Sequence, residues 1–217
     1  AWQMTIVSIW LVTNSIELIT PDEAQTLFLA KLDYPMMHAT ALAWLAVTLV
    51  YTGNQHWLTP RRFVLLCIIP ILTTVAVFTN ELHRLIWQEY TFIEVGSMLA
   101  FRSKAYGIGF WIEGVYWYAI IIIGALLVLR TFLQGFRLYQ HQSVWLVIGG
   151  LTPLIVNFPF VLRLIDGFEK DYSPLAFALA GMAFAVGIFR YRLFDLRPIA
   201  RNMLVDLLSD SMLVLDN

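Results

Sequence analysis

Residues 106–129 read YGIGFWIEGVYWYAIIIIGALLVL and carry one formal charge, at Glu113. A helix crosses the hydrocarbon core with about 20 apolar residues, range 17–25, so this run can span a bilayer unaided. Comparable stretches are Trp2–Ile19, Pro35–Tyr51, Phe63–Thr79, Val144–Leu162 and Pro174–Phe189. Among all six, only Glu17 and Glu113 place a charge inside, and the three lysines, Lys31, Lys104 and Lys170, fall between stretches. Membrane β-barrels alternate polarity over segments of about 10 residues, whereas these runs are continuous. The expected fold is an all-α polytopic membrane bundle with six visible transmembrane helices.

The composition of the rest agrees. The 217 residues are 59% hydrophobic and 13% charged with mean hydropathy +0.72, against about 25% charged in soluble domains. A disordered chain, a nucleic-acid binder and an ordinary soluble enzyme are excluded. The single cysteine, Cys67, permits no internal disulfide, and with four histidines it offers no metal-ligand cluster. A net charge of −1 implies no polyanionic partner. The chain begins without Met or a cleavable signal, and the expectation is a piece of something longer.

Arginine and lysine set the orientation. One side collects Arg61, Arg62, Arg130, Arg137, Arg190, Arg192, Arg197 and Arg201, eight bases; the other has Lys31, Arg84, Arg102, Lys104, Arg163 and Lys170, six. By the positive-inside rule the first side is cytoplasmic, which puts the C-terminus in the cytoplasm and Trp2 near that face. Between helices, Tyr90–Glu94 and Met98–Arg102, split by Val95, Gly96 and Ser97, read as a short β-hairpin capping the outer face. After the last apolar run, Pro198 suits a helix start. Ile199, Met203, Leu204, Leu207 and Leu208 follow as an apolar helical stripe. Three parts are expected: a bundle over 1–190, a cytoplasmic linker helix over 191–209, and the opening of a further domain over 210–217.

Several passages carry a resemblance: IELIT at 16–20, VYTGN at 50–54, TNELHRLIW at 79–87, YGIGFWIEGVYWY at 106–118, GGLTPLIVNFPF at 149–160, and FRYRLFDLRPIARNMLVDLLSDSMLVLD at 189–216. In that order and spacing the chain resembles the seven-transmembrane N-terminal sensor region of bacterial and archaeal sensor histidine kinases. The resemblance implies seven helices, the first absent here, an extracellular N-terminus and a cytoplasmic output. SMLVLDN at 211–217 resembles the first strand of a PAS domain. It also implies ATP and Mg for a downstream kinase part, with a response regulator as that part's partner.

Polar residues inside membrane helices are functional candidates by default. Glu113 is either a sensing group or interhelical glue, with Gly109, Tyr116 and Trp117 expected on its face. Asn14 and Glu17 form a stripe with Trp10. His38 either faces water or joins a site, and Asn157 lies between Pro153 and Pro159, where it can serve the broken backbone or a ligand. Asn80, His83 and Trp87 follow the third run as interfacial anchors or a pocket mouth. The expected ligand-binding set is Asn14, Glu17, His38, Asn80, His83, Glu113, Tyr116, Trp117 and Asn157, gathered in the outer half as an outward-facing pocket. Ala176, Ala180, Ala183 and Gly187 make a small-residue packing face. Arg190, Arg192, Pro198, Ile199, Met203 and Leu207 are expected to relay the signal.

The expected function is that of a membrane-embedded sensor domain of a two-component histidine kinase, working as a homodimer in the inner membrane among lipids. Its stimulus is a small molecule or a membrane-derived condition. It has no catalytic residues, cofactor or metal of its own, and no nucleic-acid partner. A diguanylate cyclase output and a small-molecule transporter are the alternatives. A retinal protein is excluded because no lysine lies inside a helix for a Schiff base. The topology is testable with a Cys67→Ser background. In intact cells an impermeant thiol reagent should label Lys170→Cys and spare Asn54→Cys; the opposite pattern inverts the orientation.

Overall fold

A computed structural model describes residues 2–95, 98–134, 137–162 and 173–191. Helix α1 covers Trp2–Ile19, as the apolar run predicts, and α2 covers Glu23–Tyr51. A single 3-10 turn at Gln55–Trp57 leads to α3 (Pro60–Phe78) and to one turn of helix, α4 (Asn80–His83). An antiparallel hairpin of β1 (Trp87–Val95) and β2 (Met98–Tyr106) follows. The chain then returns through α5 (Ile108–Gln134), α6 (Arg137–Val161) and α7 (Ser173–Tyr191). The expected turn residues Gly96 and Ser97, and the linker helix with Arg192, Pro198, Ile199, Met203 and Leu207, lie outside the described residues. Arg190 ends α7 as an exposed base in its last turn.

Among the described residues two helices, Pro60–Phe78 and Ile108–Leu133, are long and apolar enough to cross a membrane by length and composition. α3 leaves Val64, Leu65, Ile71, Leu72 and Val75 between 57% and 65% exposed. A contiguous apolar face of this kind needs lipid or protein to cover it.

Four helix starts differ from the apolar runs by two residues or more, α3 among them, which opens at Pro60 behind Thr59 rather than at Phe63. The sequence reading opens the second helix at Pro35, where the apolar run begins after Lys31 and Asp33. Asp22 instead caps the helix, accepting from the Gln25 amide at 2.9 Å, and Pro35 is carried inside. The fourth run does not begin at Tyr106, which ends β2; Gly107 turns the chain into α5. A Cβ at Gly107 would collide with the Leu85 carbonyl, so only glycine lets the hairpin return this closely. α6 begins at Arg137 rather than Val144, since its first two turns are polar but still helical.

The core is set by Trp44, 3% exposed, whose Nε1 donates to the Ile121 carbonyl at 3.1 Å. Its indole occupies the space a Cβ at Gly124 of α5 or Gly150 of α6 would need. Around it pack Val7, Trp117, Ile120, Leu146 and Ala180. On α7, Ala176, Ala180, Ala183 and Gly187 are all buried, as a small-residue face requires. Helix hydroxyls are turned back on their own backbone: Thr13, Thr20, Thr40, Thr79 and Thr152 each donate to the carbonyl four residues earlier.

The approach to the hairpin hangs on one amide. Asn80, 1% exposed, accepts from the Ile86 and Trp87 amides at 3.0 and 3.1 Å and donates to the Trp87 carbonyl at 2.9 Å. Arg84, with φ 53, closes α4 in the left-handed region between them. Lys31, which the sequence reading set between helices, lies inside α2, so the expectation of no helical lysine fails, and it pairs with Glu81 at 2.5 Å. Partial burial alone would raise the Glu81 carboxyl, but the hydrogen bond and charge of Lys31 outweigh it and hold the group below its ordinary value. Asn80→Ala removes three hydrogen bonds to buried backbone, a loss of about 1–3 kcal/mol. The melting temperature in lipid nanodiscs should fall by several degrees. Asn80→Asp keeps the two accepted bonds and should recover part of the loss; no change on Asn80→Ala would show the strand start to be held by other groups.

Candidate functional site

Three helical faces and the hairpin converge on a cavity of about 340 Å³, within the 300–1,000 Å³ range of small-molecule sites. α1 contributes Trp10, Asn14 and Glu17, spaced i, i+4, i+7. α2 contributes Ala30, Asp33, Tyr34 and Met37, and α5 contributes Phe110, Glu113, Gly114 and Trp117, both with the same helical spacing. Trp87, Phe101 and Tyr106 of the hairpin close one side, and Asn157, Phe158 and Leu162 from the end of α6 close another.

The polar groups on this wall are held in distinct ways. Asn14 donates to Asp33 at 3.5 Å, joining α1 to α2. Asn157 accepts from the Tyr118 hydroxyl at 2.8 Å, joining α6 to α5. Glu113 is 2% exposed, and its Oε1 has no hydrogen-bond partner among the described residues. The same holds for Nε1 of Trp117, 4% exposed. His38 stands behind Glu113, with Nε2 3.6 Å from that Oε1. Its Nδ1 lies 2.6 Å from the Tyr34 carbonyl. A carbonyl only accepts, so Nδ1 carries the proton, and in the neutral ring Nε2 offers Glu113 a lone pair. A proton placed between carboxyl and imidazole would turn this contact into a hydrogen bond.

Of the nine residues expected to bind a ligand, Asn14, Glu17, Glu113, Trp117 and Asn157 line the cavity. His38 adjoins it through Glu113 and is buried rather than facing water. Three lie elsewhere. The Asn80 side chain is engaged with the backbone of Ile86 and Trp87. His83 is exposed, bonded to Thr79 at 3.0 Å and to the Leu85 amide at 3.0 Å, and it does not stack with Trp87 along one helix, because Arg84 ends α4 and Trp87 begins β1. Tyr116 turns away to donate to the Leu66 carbonyl of α3. Pro70, four residues on, has no N–H to give that carbonyl, so Tyr116 supplies the missing donor. Gly109, expected on the Glu113 face, packs instead against Leu85 and Ile86.

Sequence reasoning missed Asp33, Tyr34, Phe110 and Tyr118. Asp33 and Tyr34 precede Pro35, where the second helix was expected to begin. The Asp22 cap was the available signal, since extending the helix back to it lines up Ala30, Asp33, Tyr34 and Met37. Among the described residues no group of three His, Cys, Asp or Glu side chains could hold a metal ion.

Comparison with protein families matches residues 1–198 to the family described as the N-terminal 7TM region of histidine kinase. No curated protein matches the chain, and no solved structure does.

The assignment of Tyr116 to the scaffold is testable. Tyr116→Phe leaves the Leu66 carbonyl without its donor, which for interhelical hydrogen bonds in membranes averages about 0.6 kcal/mol and reaches about 1.7. Thermal stability in nanodiscs should drop by that amount, while the basal output of the parent kinase stays put. A changed output at unchanged stability would return Tyr116 to the site.

Proposed function

The chain belongs to the family of N-terminal 7TM regions of histidine kinase, and from that premise we propose that it reads its stimulus in the cavity between α1, α2, α5 and the hairpin. The observation that carries this reading is the pairing of a cavity of about 340 Å³ with two buried polar groups on its wall, Glu113 and Trp117, whose Oε1 and Nε1 have no hydrogen-bond partner among the described residues. A buried polar atom without a partner costs about 1–3 kcal/mol. A ligand or ordered water in the cavity recovers that cost.

In this proposal the six long helices cross the membrane, and the hairpin end faces outward. The base asymmetry supports that orientation: Arg61 and Arg62 follow the end of α2 remote from the cavity. Occupation of the cavity favours one packing of the bundle, and α7 with the linker beyond Arg190 carries the shift to cytoplasmic modules of a homodimeric kinase. A PAS domain after the linker, ATP and Mg in the kinase, and a response regulator downstream belong to this same proposal.

Gly114 gives a direct test, because a Cβ there meets no atom within 4 Å and points to open space. Gly114→Phe should fill the cavity and Gly114→Ala should not. In the full parent kinase reconstituted in nanodiscs, Gly114→Phe should change basal autophosphorylation by about fivefold or more in either direction, with Gly114→Ala at the wild-type level. Equal outputs for both variants, with both proteins folded, would sever the cavity from signalling.

A further inference from the structure

We infer that the cavity is built for an organic cation, a molecule with an ammonium head on an apolar body. The inference rests on the reading of this cavity as the stimulus site and names the chemical class it takes.

Charge is the first argument. Three helices each contribute one carboxyl side chain to the described wall, Glu17, Asp33 and Glu113, and no lysine or arginine lines it. The nearest lysine along α2, Lys31, is spent on Glu81 of α4. Acidic groups gathered around a poorly hydrated space repel one another, and burial penalises each in its ionised form. A cation entering that space relieves both costs, whereas an anion adds to them.

The ring faces are the second argument. Trp10, Tyr34, Trp87, Tyr106, Phe110 and Trp117 all line the cavity. Aromatic faces attract an alkylammonium at about 0.5–2 kcal/mol each when water is excluded, and they also accept an apolar body. The rings support one another: Trp87 lies 5.6 Å from Tyr34 and 4.7 Å from Phe101, centroid to centroid. Tyr106 stacks on Phe110 at 3.7 Å. This wall is a preassembled surface.

The wall suits an organic cation better than a metal ion. The carboxylates are distributed around the cavity, and no three acidic, His or Cys side chains among the described residues come close enough to share an ion. A bare ion would also leave most of the 340 Å³ unfilled. A body that reaches from Glu113 to the aromatic lip uses the whole wall. The Oε1 of Glu113, a buried acceptor without a hydrogen-bond partner among the described residues, marks where its ammonium head settles.

Ammonium chemistry reaches such a site either as a soluble amine or as a lipid headgroup, and the test distinguishes the two. The full chain in phosphatidylglycerol nanodiscs is titrated with phenethylammonium, phenethyl alcohol and phenylacetate, matched in size and differing in charge, while tryptophan emission is followed. Phenethylammonium should bind saturably, and the alcohol and phenylacetate at least about tenfold more weakly. Glu113→Gln should erase the preference; Glu17→Gln, at a half-buried position that tolerates the change, should weaken it severalfold. Adding phosphatidylethanolamine to the disc assigns the source: competition with phenethylammonium points to a headgroup, and its absence to a soluble amine. Equal binding of alcohol and ammonium, or no loss in either Gln variant, overturns the cation. If none of the probes binds while Gly114→Phe still shifts kinase output, the cation falls and the cavity reading stands. If Gly114→Phe leaves output unchanged, the cavity reading falls by itself.

Discussion

The indole of Trp44 lies where side chains on Gly124 and Gly150 would otherwise be, and its one polar atom is committed to the Ile121 carbonyl. Three helices are thereby held at a spacing fixed by a single aromatic slab. Two glycines on facing helices admit the ring, and the ring fills the gap they leave, which is how close packing replaces the hydrophobic effect as the force between helices in lipid. From Trp44 toward the hairpin, Trp10, Tyr34 and Trp117 stand on the wall of the cavity. Beside them α1, α2 and α5 present Asn14, Asp33 and Glu113 to the same space.

Within that frame the polar residues divide by what they satisfy. Asn80 and Tyr116 complete backbone that would otherwise be deficient, at the start of β1 and at the carbonyl opposite Pro70. Asn14, Asp33, Asn157 and Tyr118 join neighbouring elements and leave their remaining surface to the cavity. Glu113 and Trp117 keep an unmatched atom at the wall. Polar groups in a membrane helix look alike in a sequence, and only their partners separate scaffold from site.

That division explains what could be read in advance. α1 was legible to the residue, since its apolar run has sharp ends. The hairpin was legible from its glycine and strand residues, although it runs longer at both open ends. The polar stripe of α1 was legible because its period is local. Asp33 and Tyr34 were hidden because the uninterrupted apolar run begins only at Pro35, whereas the helix reaches back to the cap at Asp22. Tyr116 was misplaced because helical spacing gives a residue's neighbours on its own helix but says nothing of a proline on another. His38 and Glu113 stood in different apolar runs, and only the packing of α2 on α5 brings them within 3.6 Å.

The hydroxyls that fold back onto their own helices have a kinetic meaning. A helix whose threonines are occupied by its own carbonyls presents mainly carbon to its neighbour along those stretches, so sliding there breaks no directional bond. Among the described residues, resistance to rearrangement is then concentrated at a few pins: Trp44 on Ile121, Tyr116 on Leu66, Tyr118 on Asn157, Asn14 on Asp33 and Lys31 on Glu81. Friction in such a bundle is localised rather than spread along its seams. The pace of any rearrangement of the bundle is set by how fast those pins release and re-form.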